Sequence, residues 1–152
     1  MKDLDQFVNH FRKLQPRFSR LYARMLIYAG ITQPQYALLL ELMQQMSKPI
    51  SMTAISQRLY ISKPAVTNLV DRLEKNKFLK RLSDPGDRRI SLLEIQPKGK
   101  KIVREIQGRI LKLIRDTAKQ FNRNERMTIQ KFYSVLATSI DKNLLHSRSH
   151  KR

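Results

Sequence analysis

Between residues 62 and 89 the chain gathers side chains whose types and spacing suit contact with a polyanion. Ser62 can cap a helix over about 63–76, with Pro64 in its first turn, where a missing N–H costs little. Val66, Leu69, Val70 and Leu73 recur at helical spacing and face inward. The other face then carries Lys63, Pro64, Ala65, Thr67, Asn68, Asp71 and Arg72. Thr67 and Asn68 are short hydrogen-bonding side chains near the N-terminal end, where contacts to base edges fall. A helix of this size matches a major groove about 12 Å wide. The N–H groups at its capped end suit a phosphate. Beyond it lies a turn signal, Asp84-Pro85-Gly86-Asp87, followed by Arg88 and Arg89. Arginines at a hairpin tip suit the narrow minor groove. The plain alternatives are a solvated helix face and arginines paired only with Asp84 and Asp87.

These residues need a frame. Leu4, Phe7, Val8, Phe11 and Leu14, then Phe18, Leu21, Tyr22 and Met25, keep one helical face through the first segment, closed by Gly30. Pro16 is expected to kink that helix or start a second one. Thr32, Pro34 and Gln35 read as a capped start for a mostly buried helix through Tyr36–Met43. Ser47-Lys48-Pro49 reads as a turn, Ser51 as the cap of a short helix over 52–59, and Tyr60-Ile61 as a tight connection. Phe78–Leu82 and Arg89–Ile95 read as two strands of a hairpin. A long helix follows over about 97–120, with Ile102, Val103, Ile106, Ile110, Leu113 and Ile114 inward. Asn122 and Glu125 form a capping-box pair for a last helix to about Leu145, and the tail HSRSHKR is expected to fray.

Composition narrows the chemistry. The 152 residues suit one domain, and the net charge is +19. Residues 1–33, 34–61, 62–100 and 101–152 carry +4, +1, +5 and +9, so the excess is spread over folded surface rather than held in a tail. There is no cysteine, which excludes disulfides and thiolate metal sites. Apolar runs are too short to span a membrane, and the first residues lack a signal core, so a cytoplasmic, nucleoid-associated protein is expected. His146 and His150 are spaced i, i+4 without nearby carboxylates, so no metal is expected. Scattered histidines and no clustered carboxylate pair point away from an enzyme, and no cofactor is expected. Lys101, Arg104, Lys112, Arg115 and Lys119 fall near one helical face, as do Lys13, Arg17, Arg20 and Arg24 on the first helix. Either stripe reads as solvated surface or as added attraction to phosphates.

At this point the chain resembles a known family, the MarR-type bacterial transcription regulators. The stretch ISKPAVTNLVDRLEKNKFLKRLSDPGDRRISLLEIQPKGKKI (61–102) is similar to that family's recognition helix and wing. The family's Asp-x-Arg wing signature stands here as Asp87-Arg88-Arg89, and GITQPQYALLLEL (30–42) is similar to its second helix. The resemblance implies a mainly α fold with a small β-hairpin wing: a winged helix-turn-helix with N- and C-terminal dimerisation helices. It implies one domain over 1–152, with a DNA-binding region at 34–100. Within that region the helix-turn-helix lies at about 52–76 and the wing at about 78–95, while 1–30 and 100–145 dimerise. Asp71 would hold a wing arginine, and Asp87 would position the wing. Lys77 stands where the family often has Gly, and Gln96 where it often has Thr.

The implied function is a sequence-specific double-stranded-DNA-binding regulator. It would be a repressor acting as a homodimer on a near-palindromic operator, with possible control by a small-molecule effector bound near the junction of the dimer and DNA-binding regions. The alternatives are a sequence-tolerant nucleoid or RNA-binding protein and a protein-interaction adaptor that reuses the fold.

Overall fold

The computed structural model describes residues 2–45 and 48–149, with side chains described through Leu144. Its elements run α1 (Lys2–Ala29), α2 (Gln33–Gln44), β1 (Ile50–Ser51), α3 (Met52–Leu59), α4 (Lys63–Lys75), β2 (Leu79–Ser83), β3 (Ser91–Ile95), α5 (Pro97–Ala118) and α6 (Arg123–Ser149). Contacts divide the chain into one unit ending at Gly108 and another starting at Arg109. The fold is mainly helical with a small antiparallel wing, as the sequence implies.

The helix starts are set by short polar side chains. Thr32 Oγ1 accepts from the Gln35 N–H at 3.4 Å while Gln35 Oε1 accepts from the Thr32 N–H at 2.8 Å, a complete capping box. Ser51 and Ser62 cap α3 and α4 by accepting from the Ala54 and Ala65 N–H groups. The helix ends share another device. Gly30, Tyr60 and Lys77 each stand in the left-handed region, at φ of 66°, 54° and 60°. After α1, the Gly30 N–H reaches the Ile27 carbonyl and the Ile31 N–H reaches Leu26. After α4, Lys77 and Phe78 reach Glu74 and Leu73 in the same pattern. Each of these two stops is locked by burying the residues it brings together, Leu26 with Ile31 and Leu73 with Phe78.

One core holds the first unit. Leu38, Leu39 and Leu42 of α2, Ile55 of α3, and Val66, Val70 and Leu73 of α4 are buried with Leu79, Leu93 and Val103. The sheet order is β1-β3-β2, all antiparallel, with Ile50 opposite Leu93 and Leu79 opposite Ile95. In the second unit α6 starts from a capping box, in which the Asn122 N–H donates to Glu125 at 2.7 Å and the Glu125 N–H to Asn122 at 3.1 Å. Its apolar residues Phe132, Tyr133, Ile140 and Leu144 are exposed, as are Leu113 and Ile114 of α5. In the first unit Leu4, Phe7, Val8, Phe11 and Leu14 of α1 stand 45–67% exposed.

Several expectations change. α1 runs unbroken past Pro16, which sits inside it. The proline forfeits one i to i−4 hydrogen bond, and the remaining turns on either side hold the helix. The wing is three-stranded, because Ile50 and Ser51 add a strand beside β3. The returning strand begins at Ser91, so Arg89 and Ile90 belong to the turn. The backbone of α6 is helical to Ser149, where the sequence suggests fraying after Leu145. Of the inward residues expected on α5, Leu113 and Ile114 stand outward. Ser47 of the expected turn and residues 150–152 of the tail lie outside the described residues, as do the side chains of His146 and His150.

Two substitutions test the packing at the end of α4. Lys77→Gly removes the Cβ strain of φ 60° and is expected to stabilise the protein by about 0.5–1 kcal/mol, or a few degrees in Tm. Gly99→Ala would set a Cβ 2.2 Å from the Phe78 carbonyl oxygen and is expected to cost about 1–3 kcal/mol in thermal or urea unfolding.

Candidate nucleic-acid interface

α4 buries Val66, Val70 and Leu73, and this burial fixes which side faces solvent. Ser62, Lys63, Pro64, Thr67, Asn68, Asp71 and Arg72 are exposed, and Ala65 is half-buried. The Thr67 hydroxyl donates to the Lys63 carbonyl at 3.1 Å, which leaves its lone pairs and methyl group outward. The Asn68 carboxamide has no protein hydrogen bond among the described residues, so its donors and acceptor are open to an outside partner.

The wing tip is ordered by its own carboxylates. Asp84 Oδ1 accepts from the Gly86 N–H at 2.7 Å and the Asp87 N–H at 3.2 Å. Asp87 receives the Arg89 N–H at 3.0 Å, with Arg89 Nε at 3.1 Å and Nη2 at 3.2 Å. The Arg89 side chain, followed by its backbone N–H, holds the Asp87 carboxyl below the usual carboxylate range. Even so paired, the Arg89 side chain is 91% exposed. Arg88 is exposed and has no ion pair among the described residues. Across the sheet, Lys80 and Glu94 stand directly opposite and pair at 2.8 Å. That hydrogen bond is the main cause of a lowered Glu94 pKa.

A latch joins the wing to α4. Arg81 of β2 donates Nη2 to Asp71 Oδ1 at 2.5 Å and Nη1 to Glu74, and its backbone N–H reaches Glu74 Oε1 at 2.9 Å. Partial burial opposes the charged guanidinium, but the hydrogen bonds and charges of Asp71 and Glu74 outweigh it and raise the Arg81 pKa. Asp71 thus holds a wing arginine, as the resemblance implies, but on the strand rather than at the tip. Arg81 and Glu74 were not singled out in the sequence. The signal was present: strand alternation puts Arg81 on the side of buried Leu79, and Glu74 follows Asp71 at i+3.

The fold brings Lys63, Thr67 and Arg89 together. They line a cleft of about 280 Å³ with Ser51, Met52, Thr53, Ile90 and Ser91. Two cations and the hydroxyls of Ser51, Thr53 and Ser91 lining one space suit an oxyanion such as a backbone phosphate. Arg72, Asn68 and Arg88 stand outside this lining. Among the described residues no group of three His, Asp or Glu is placed to hold a metal, and no helix is long and apolar enough to cross a membrane.

The MarR family profile matches residues 31–91, which span α2 to the wing turn. A Bacillus subtilis (strain 168) HTH-type transcriptional regulator, YsmB, is 26% identical over 129 residues, 85% of each chain. A solved MarR family protein from Bacillus stearothermophilus superposes with a TM-score of 0.79 at 18% identity, covering 92% of this chain and 96% of that one. The S. aureus MepR–DNA complex gives a TM-score of 0.70 at 21% identity, covering 86% and 96%.

Arg81→Ala is expected to cost only about 1 kcal/mol of stability, since solvent screens the partly exposed pairs. Its larger effect is loss of wing order, read as increased amide exchange over residues 79–95. The wing carboxylates give a pH test. Their folded pKa values are depressed, so their pairs contribute above the usual carboxylate range and are lost as pH falls through the folded values. NMR titration is expected to place Asp87 and Glu94 each below its ordinary carboxylate value, with Arg89→Gln returning Asp87 alone to its ordinary range.

Proposed function

We propose that the chain is a MarR-type homodimeric repressor that reads a near-palindromic operator with α4 and the wing, a reading supported by the family profile over residues 31–91 and by the likeness to the HTH-type regulator YsmB. The observation that carries this reading is the latch. Arg81 fixes an exposed polar helix face and an arginine-tipped hairpin in one rigid relation. In this reading α4 enters the major groove. Thr67, Asn68 and Arg72 meet base edges there, and Ser62, Lys63, Pro64 and Ala65 at its start approach the backbone. Arg88 and Arg89 reach the adjacent minor groove, with Arg89 leaving Asp87 for phosphate or base. A phosphate in the cleft beside Lys63 and Arg89 would set the register between groove and wing.

Dimerisation is supported by the uncovered apolar side chains of α1 and α6, which a second copy of the chain would bury. Two α4 helices would then sit in successive major grooves about 34 Å apart. Control by a small-molecule effector would act through that spacing. The reading region is 34–100, the terminal helices 1–30 and 100–145 serve the dimer, and the protein works in the cytoplasm on the nucleoid.

Selection from random duplex DNA followed by titration tests this reading. The selected site is expected to bind at least about 10³-fold more tightly than random sequence at physiological salt. A ratio near one would establish a sequence-tolerant DNA- or RNA-binding protein instead. Asn68→Ala and Thr67→Ala are expected to cost about 1–3 kcal/mol and to relax specificity at single positions. Arg89→Ala is expected to cost most. Lys63→Ala should weaken all sequences alike and reduce the salt slope by about 0.9. Affinity indifferent to all four would mark an adaptor that keeps the fold without its DNA function.

A further inference from the structure

α1 carries a second charged surface that the reading head does not use. From Gln6 to Leu40 there are five cations, Arg12, Lys13, Arg17, Arg20 and Arg24, and no carboxylate. Because α1 passes unbroken through Pro16, Lys13 stays in phase with the three arginines beyond it. At steps of +4, +3 and +4 the four fall within an arc of about 60° and span about 16 Å of axis. All are exposed, and none has an ion pair among the described residues. Arg12, beside the stripe, donates to Asn9, a neutral partner.

The α5 stripe is different. There Lys101 pairs with Glu105 at 3.9 Å, and Lys112 and Lys119 flank Asp116 at 3.5 and 2.9 Å. Three of the five cations of that stripe thus have a carboxylate within reach. The α1 stripe has none, and its adjacent like charges at i, i+3 and i, i+4 work against the helix. A row of unneutralised cations along one continuous helix fits a partner with closely spaced negative charge and no required register.

We propose that the Lys13–Arg17–Arg20–Arg24 stripe of α1 is a second, sequence-independent duplex-DNA surface, separate from α4 and the wing. Duplex DNA presents about one charge per 1.7 Å of axis, so a 16 Å row meets phosphates at any offset, and binding gains from counterion release. A membrane fits less well. A helix lying in a bilayer surface needs its apolar residues between its cations, and Phe7, Phe11, Leu14 and Phe18 centre about 120° round the helix from the stripe. The surface goes beyond the proposed operator reading and does not require it. Its consequence for a bound regulator is contact with flanking DNA or with a second duplex.

The test compares the full chain with a K13Q/R17Q/R20Q/R24Q variant. Gln keeps helix propensity, and circular dichroism and sedimentation confirm fold and assembly before DNA is added. Protein is saturated with an immobilised 20-base-pair selected duplex and offered a labelled random duplex. A parallel titration compares 20- and 60-base-pair duplexes carrying the same site. Wild type is expected to capture the second duplex or to favour the longer one. That extra binding should fall on the order of 10²-fold from 50 to 200 mM salt if all four contacts form. The variant is expected to lose it while holding the short selected site within about twofold. Capture shows a second duplex, and length preference alone shows the flanks; either supports the surface. Equal behaviour of wild type and variant in both arms overturns it, as does uptake by phosphatidylserine vesicles that depends on the stripe with no DNA effect. Failure of the operator reading shows separately, as a selection that yields no preferred site. The capture experiment then runs on a random 20-base-pair duplex.

Discussion

Arg81 stands between two carboxylates one turn apart on α4, and the relation of that helix to the wing depends on it. A two-stranded ribbon of this length is marginal alone in water. Here it gains order from three sources: the short β1 strand along β3, buried Leu79 and Leu93, and the guanidinium fork between Asp71 and Glu74. With the Phe78 turn, the fork ties the wing to the helix that carries Thr67 and Asn68. Partial burial strengthens these contacts relative to fully solvated pairs, and two acceptors use the planar fork as one lysine could not. The charges serve geometry more than stability: the core holds the fold, and the fork sets the angle between helix and hairpin.

Much of this frame was legible because it rests on local chemistry. Ser51, Ser62, Thr32 with Gln35, and Asn122 with Glu125 are short polar residues ahead of helical periods, and each caps the helix expected of it. Lys77, where the resemblance leads one to expect Gly, turns the chain at positive φ. What was not legible is non-local. β1 has two residues, too few to show alternation, and exists because β3 offers it an edge. The Arg81 fork joins residues 7 and 10 apart through a turn whose angle the sequence does not state. Pro16 misled for a related reason. A proline's cost is local, but the helical surface on either side of it extends for several turns and outweighs one lost bond.

The net charge takes on a different meaning once the pairs are drawn. The largest excess follows residue 100, yet α5 pairs several of its lysines with Glu105 and Asp116. The excess at the N-terminus is smaller, and among the described residues Lys13, Arg17, Arg20 and Arg24 stand along one side of α1 without an ion pair. Counting charge along the chain therefore does not show how much of it is already paired within a helix. What decides is whether a cation has a carboxylate within reach on its own helix face, because a cation already paired releases fewer counterions when a phosphate arrives.

The two ends of α4 are built for opposite purposes. Its N-terminal side faces outward, with Ser62 capping and Lys63 and Thr67 beside an open cleft. Its C-terminal end is clamped. Lys77 closes the helix, the Gln96 N–H bonds the Phe78 carbonyl at 2.9 Å, and Lys98 Nζ meets the Asn76 carbonyl at 3.1 Å and sits 4.8 Å from the centre of the Phe78 ring. Gly99 permits this approach, since any Cβ there would strike the Phe78 carbonyl. α4, the wing and the first turn of α5 are thus joined by short contacts at three places: the Arg81 fork, the Phe78 turn and the β2–β3 ladder. A unit fastened that way resists bending within α4. Any displacement of α4 therefore carries the wing and the first turn of α5 with it.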